Sequence, residues 1–246
     1  YRLAFIRNAD MNERYEAQVT VDVYRYNPVL YSAIYGEGEH KIGYLVLENF
    51  DLEAQDFVAD IIQQFKDNSI TELILDLRFN PGGAVAQSRY LASAIAGTAH
   101  LDDTFVQVDF RGNKHQSWKF RGGPNDQDGL GIAPDLGLKR LYVIGSENTA
   151  SASELIINAL KGVDFPVVLI GSQSEGKNVG MEVTHEIYNG RRFEFAPITY
   201  WGLNARDEYA PKDGFMPDSG NLLNNQNSSY NDDLDNMFKD AAELIL

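Results

Sequence analysis

The sequence predicts an α/β domain built around a largely parallel core sheet. Three observations carry that expectation: strand-like apolar runs alternate with helical periodicity, the runs read as strands covered on both faces, and three of the four end in a glycine-rich or hydroxyl-rich turn. The first core strand is "KIGYLVLENF" (41–50). In the "DLEAQDFVADIIQQFKDN" that follows, Phe57, Val58, Ile61, Ile62 and Phe65 fall on one helical face. "TELILDLRF" (71–79) is almost continuously apolar, as a strand buried on both sides should be. It breaks at "NPGG" and passes into an alanine-rich helix, "AVAQSRYLASAIAG". "LKRLYVIG" is the next strand, followed by a turn crowded with hydroxyls and the helix "SELIINALKG". "FPVVLIGS" (165–172) is the last buried strand.

The flanks follow other rules. In "MEVTHEIYNGRRFEFAPITYWG" an Asn189-Gly190 turn separates two alternating segments, a strong hairpin signal. Residues 111–137 are rich in glycine and polar side chains and read as one long loop. "NNQNSSYNDD" reads as a polar linker into a final amphipathic helix, "LDNMFKDAAELIL". Residues 1–30 alternate in "YEAQVTVDVYRY" and form a strand-rich N-terminal segment. Residues 31–246 form the core domain.

Composition narrows the function. The chain has 246 residues, 43% of them hydrophobic, enough to bury a substantial core. A formal net charge of −15 disfavours nucleic acids and anionic membranes. No apolar run is long enough to span a bilayer, and "YRLAFIRNADMN" lacks the basic-then-apolar layout of a signal peptide. The count of zero cysteines excludes disulfides, thiol chemistry and zinc–thiolate sites, and fits an exported bacterial protein. His40, His100, His115 and His185 show no metal-ligand spacing.

The chemistry concentrates where open α/β sheets put it, outside the carboxyl ends of strands. Three turns stand there: "NPGG", "SENTASASE" and "SQSEGK". If their strands are neighbours, Gly82, Gly83, Ser151 and Lys177 share one rim. Ser151 and Glu154 have the S-x-x-E spacing of a capping box, so Ser151 alone reads as a helix cap. Beside a base it reads as a nucleophile, leaving Thr149 or Ser153 to cap. A lysine is such a base only when neutral, which desolvation favours. Glycines let backbone amides approach a developing oxyanion. Asp76 and Arg78 read as a pair bracing a strand end, and Tyr44, Tyr200 and Trp201 as packing residues, with the lining of a substrate groove as the alternative.

"ELILDLRFNPGG", "TASASELIINAL", "VVLIGSQSEGK" and "KDGFMPD", in that order over roughly residues 41–220, resemble the carboxy-terminal processing (tail-specific) proteases. The resemblance implies a crotonase/ClpP-like spiral of strand-strand-helix units. It also implies a Ser-Lys endopeptidase that forms an acyl-enzyme and needs no metal or cofactor. Ser151 is then the nucleophile, Lys177 the general base, and the amides of Ala152 and of Gly82 or Gly83 the oxyanion hole. Substrates are unstructured or C-terminal regions of proteins. A PDZ-like peptide-binding module ahead of the core is implied, its end falling within residues 1–30. So is an extracytoplasmic setting, periplasmic or at the cell envelope.

The sequence departs from the family four residues after the lysine, where many members carry a glutamine and this chain has Met181. Either the dyad suffices, or Glu175, Glu182 or His185 substitutes. The same departure keeps open a catalytically silent relative that binds peptides or hydrophobic ligands. A crotonase-type acyl-CoA enzyme also uses a turn like "NPGG", but this chain lacks a basic cluster for the CoA phosphates.

Overall fold

The apolar runs become the middle of a five-stranded sheet in the computed structural model of the chain, which describes residues 2–6, 14–20, 24–38, 40–112, 114–121, 130–218, 241–242 and 245. The order across this sheet is β3 (Val29–Tyr35), β4 (Ile42–Leu47), β5 (Glu72–Asp76), β8 (Leu141–Gly145), β9 (Val167–Gly171). β4, β5, β8 and β9 run parallel, and β3 pairs antiparallel with β4 at the edge, so the sheet is mixed. α1 (Gln55–Asp67), α2 (Val85–Ala96) and α3 (Ala152–Gly162) provide the helical crossovers.

Both faces of the sheet are covered, which is why its strands read as unbroken apolar sequence. Leu45, Leu47, Leu73, Leu75, Leu141 and Val143 enter the main core with Val58, Ile62 and Phe65 of α1, and with α2 and α3. Tyr44, Val46, Ile74, Tyr142, Ile144 and Ile170 point the other way, against Ala241. Each fully buried aliphatic side chain contributes about 2 kcal/mol of transfer free energy. Phe57 and Ile61, on the predicted face of α1, are half-buried at its margin. Apart from Ala241, Ala242 and Ile245, the predicted C-terminal helix and the "NNQNSSYNDD" linker lie outside the described residues.

A second sheet, antiparallel in the order β10 (Val179–Met181), β13 (Ile198–Leu203), β6 (Thr104–Phe110), β7 (Lys114–Lys119), packs on α3. The remaining strands form two hairpins: β1 (Arg2–Ile6) with β2 (Arg14–Gln18), and β11 (Thr184–Tyr188) with β12 (Arg191–Phe195). The latter turns at Asn189-Gly190 as the sequence predicts, both residues with positive φ (48° and 72°).

Two expectations need correction. The 71–79 strand stops at Asp76, because that carboxylate accepts the Arg78 amide at 3.1 Å and pairs with its guanidinium at 2.6 Å, turning the chain. The long loop 111–137 contains β7, an edge strand. Its largely exposed side chains left no apolar alternation to reveal it; residues 122–129 of that loop lie outside the described residues.

Candidate active site

β5, β8 and β9 are adjacent and parallel, so the segments that leave their carboxyl ends meet at one rim. The first carries "NPGG". Asn80 is fully buried and pins it: its side-chain amide donates to the Leu47 carbonyl at 3.0 Å, and its Oδ1 accepts the Gly82 amide at 2.9 Å. Its carbonyl accepts from the Ala150 amide at 3.1 Å and the Ser153 hydroxyl at 3.0 Å, which ties this turn to the next.

The second segment leads from β8 into α3. Its three hydroxyls have separate duties. Thr149, fully buried, donates to the Leu77 carbonyl at 2.7 Å and accepts the Ser146 amide at 2.9 Å. Ser153 is the staple to Asn80. Neither caps α3. Ser151 sits at the head of α3, half-buried, at φ 57° and ψ −114°. A side chain rarely adopts that conformation, which costs on the order of 1–3 kcal/mol and is typical of a residue forced into a functional position. A strained turn between strand and helix is also how a nucleophile is lifted clear of a sheet.

Gly82 lies directly under that turn. A methyl group on it would meet Ser151 Cβ at 2.7 Å, the Ala150 carbonyl oxygen at 2.9 Å and the Ala152 nitrogen at 3.0 Å. Only a residue without a side chain lets the two turns touch. The Gly82 amide is already bonded to Asn80. Among the described residues the amides of Gly83 and Ala152 have no hydrogen-bond acceptor, and Ala152 opens α3, where the helix dipole favours negative charge.

The third segment carries Lys177. Glu154, 0% exposed, joins it to Ser151. Glu154 Oε1 accepts from the Ser174 hydroxyl at 2.6 Å and the Gly176 amide at 2.7 Å. Oε2 accepts from the Lys177 amide at 2.8 Å and the Ser151 amide at 3.1 Å. The capping-box pair is therefore real, but the glutamate serves two loops rather than one helix. A buried carboxylate holding four donors is satisfied without a cation. The Glu175 amide adds a bond to the Thr149 carbonyl at 3.0 Å. Residues of "KDGFMPD" brace the far side: the Phe215 amide donates to Ser174 Oγ at 2.7 Å, and its carbonyl accepts the Ser174 amide at 3.1 Å.

Ser151, Ala152 and Lys177 line one cavity of about 40 Å³, whose walls include Val85, Val106, Val108, Trp118, Leu155 and Tyr200. Burial, with the Glu182 carboxylate, pushes the Tyr200 hydroxyl above its ordinary range, so it stays protonated. Tyr200 thus belongs to the cavity wall and not to packing alone. Met181 ends β10, partly exposed, and Glu175, Glu182 and His185 are exposed. Among the described residues none hydrogen-bonds Lys177 Nζ.

At the base of the rim, where β5 ends, Asp76 and Arg78 are the buried pair the sequence suggested, joined by the Tyr44 hydroxyl, which donates to Asp76 at 2.9 Å. Sequence reasoning missed the Asn80 anchor and the second duty of Glu154. Asparagine opening a Pro-Gly turn was the available signal for the first. For the second, the S-x-x-E spacing located the residue but not its reach.

Comparison with known proteins gives the family and the fold. The profile of peptidase family S41 matches residues 41–219. A carboxyl-terminal-processing protease of Picosynechococcus sp. is 29% identical over 163 residues, 66% of this chain and 35% of that protein. This chain thus spans about a third of that relative. A Bacteroides fragilis structure assigned to the S41 proteases superposes with a TM-score of 0.67 at 23% identity, over 83% of this chain and 53% of its own. The photosystem II D1 C-terminal processing protease gives 0.57 at 20% identity, over 83% and 51%. Both structural likenesses establish a shared fold. The match spans all three rim segments together with the four parallel strands of the sheet, and the chain belongs to peptidase family S41.

Proposed function

We propose that the chain is the peptidase core of a serine endopeptidase in which Ser151 is the nucleophile and Lys177 the general base. One observation carries the reading: a serine in a strained turn and a lysine line the same cavity, and one buried carboxylate oxygen holds the backbone of both. Neutral Lys177 takes the Ser151 proton as the hydroxyl oxygen attacks a peptide carbonyl. The oxyanion is met by the Ala152 and Gly83 amides, each donor worth about 3 kcal/mol. Gly82 shapes the hole, its own amide being engaged by Asn80. Protonated lysine then returns the proton to the leaving amine, and water hydrolyses the acyl-enzyme by the reverse path.

The substrates on this reading are unstructured or C-terminal protein segments, and the core folds as a crotonase/ClpP-like spiral. In the complete protein a PDZ-like module precedes it, ending within residues 1–30, and the setting is extracytoplasmic. Degradation of casein by the wild type, Ser151→Ala and Lys177→Ala tests the mechanism. Cleavage that both substitutions abolish is the expected outcome. Cleavage that survives either one ends the dyad. Met181, standing where relatives place a lysine-orienting glutamine, supports a second reading as a silent peptide-binding protein. Casein bound but uncut by the wild type is its signature.

A further inference from the structure

The hairpin β11–β12 stands apart from both larger sheets, and all ten of its strand residues are exposed. Ile187 is 72% exposed, Tyr188 68%, Phe195 51% and Phe193 44%. A lone two-stranded hairpin is marginal in water, and an open apolar edge is a template for another strand. Register identifies which strand fits. β11 and β12 pair Tyr188 with Arg191 across the two-residue turn, then Ile187 with Arg192, Glu186 with Phe193 and His185 with Glu194. In such a hairpin the turn-flanking pair is hydrogen-bonded, so Arg192 and Glu194 direct their N–H and C=O groups to the open side.

We infer that β12 pairs antiparallel with β12 of a second copy of this chain, about a two-fold axis at Phe193. In that register Arg192 faces the partner's Glu194, Glu194 faces the partner's Arg192, and Phe193 faces the partner's Phe193. Both outward-directed residues then exchange backbone hydrogen bonds, four in all across the seam. The intrachain Arg192–Glu194 pair, at 3.8 Å, extends into a ring of four alternating charges on one face. Phe193 and Phe195 of both copies gather on the other face, with Arg191 beside the partner's Phe195. A slip of two residues either way sets Arg192 against the partner's Arg192 or Glu194 against the partner's Glu194, and like charges directly opposite are destabilising. The alternation of charge along "RRFEF" therefore admits one register. β11 has no equivalent: the same operation about its centre sets Glu186 against the partner's Glu186. The hairpin is inserted between β10 and β13, which both line the cavity, so the pairing also fixes the relative orientation of two active sites.

Sedimentation velocity from low to high micromolar concentration tests this. The wild type should pass from monomer to dimer. Arg192→Glu and Glu194→Arg alone should each weaken self-association about tenfold, since repulsion replaces attraction at two symmetric contacts. The double exchange Arg192→Glu/Glu194→Arg should restore it. An equimolar mixture of the two single variants should form heterodimers, each contact again being opposite in charge. A wild type that stays monomeric overturns the inference. So does a dimer indifferent to both reversals, or single variants that fail to associate when mixed. Far-UV circular dichroism of every variant separates a lost interface from a lost fold.

Discussion

The Oε2 atom of Glu154 accepts the Ser151 amide at 3.1 Å and the Lys177 amide at 2.8 Å. A carboxylate fully inside the protein thus sets the separation of the two loops that carry Ser151 and Lys177. Glu154→Gln keeps the shape but turns an NH₂ group toward two N–H donors. Leaving buried donors unpaired should cost about 3 kcal/mol of stability, measured by urea denaturation. Displacing either loop by about 1 Å should lower kcat about a hundredfold, with KM for a fluorogenic peptide little changed. A Glu154→Gln variant with full kcat would show that the two loops hold their positions without this carboxylate.

Ser151 adopts φ 57°, a conformation natural to glycine. Ser151→Gly should relieve strain of about 1–3 kcal/mol and lose about 0.5–1 kcal/mol to backbone entropy. Ser151→Ala keeps the strain. Both variants should be inactive, with the glycine form about 1 kcal/mol more stable than the alanine form. Equal denaturation midpoints would mean that the turn carries no strain.

What the sequence made legible follows from where each signal resides. β4, β5, β8 and β9 announced themselves because burial on both faces leaves continuous apolar runs, and α1 because its buried stripe repeats at helical spacing. β7 stayed hidden because an exposed edge strand such as "KHQSWK" bears no hydrophobic alternation. At the site, Ser151, Lys177 and the glycines stood in motifs that local spacing and family resemblance could find. Asn80 and Glu154 act on backbone amides and carbonyls of segments distant in the chain. Those partners have no residue type of their own, so nothing in the sequence spells them.

Gly82 offers a test that separates backbone strain from collision. Gly82→Ala drives a methyl group to 2.7 Å from Ser151 Cβ, whereas Gly131, also with positive φ, has open space around it. Gly131→Ala should cost about 1 kcal/mol from conformation alone and leave proteolysis intact. Gly82→Ala should cost at least about 2 kcal/mol more and abolish casein cleavage, since Ser151 and the Ala152 amide must both move. Similar losses in the two variants would indicate that the Gly82–Ser151 contact is not tight.

Tyr200 should decide which residue can precede the scissile bond. Its ring lies across Gly180, where a methyl group would come within 1.9 Å of Tyr200 Cζ, and it is fixed against Phe110 with ring centroids 5.4 Å apart. The cavity beside Ser151 is walled mainly by apolar side chains, so an aliphatic side chain suits it. Tyr200→Ala removes one wall. Cleavage of peptides differing only at that residue should shift toward phenylalanine over alanine by about tenfold in kcat/KM, the scale of one added hydrophobic contact. Gly180→Ala, by pressing the ring into the cavity, should move preference the opposite way, from valine toward alanine. If both variants keep the wild-type ratio, the substrate side chain enters elsewhere and this cavity is only a packing gap beside Ser151.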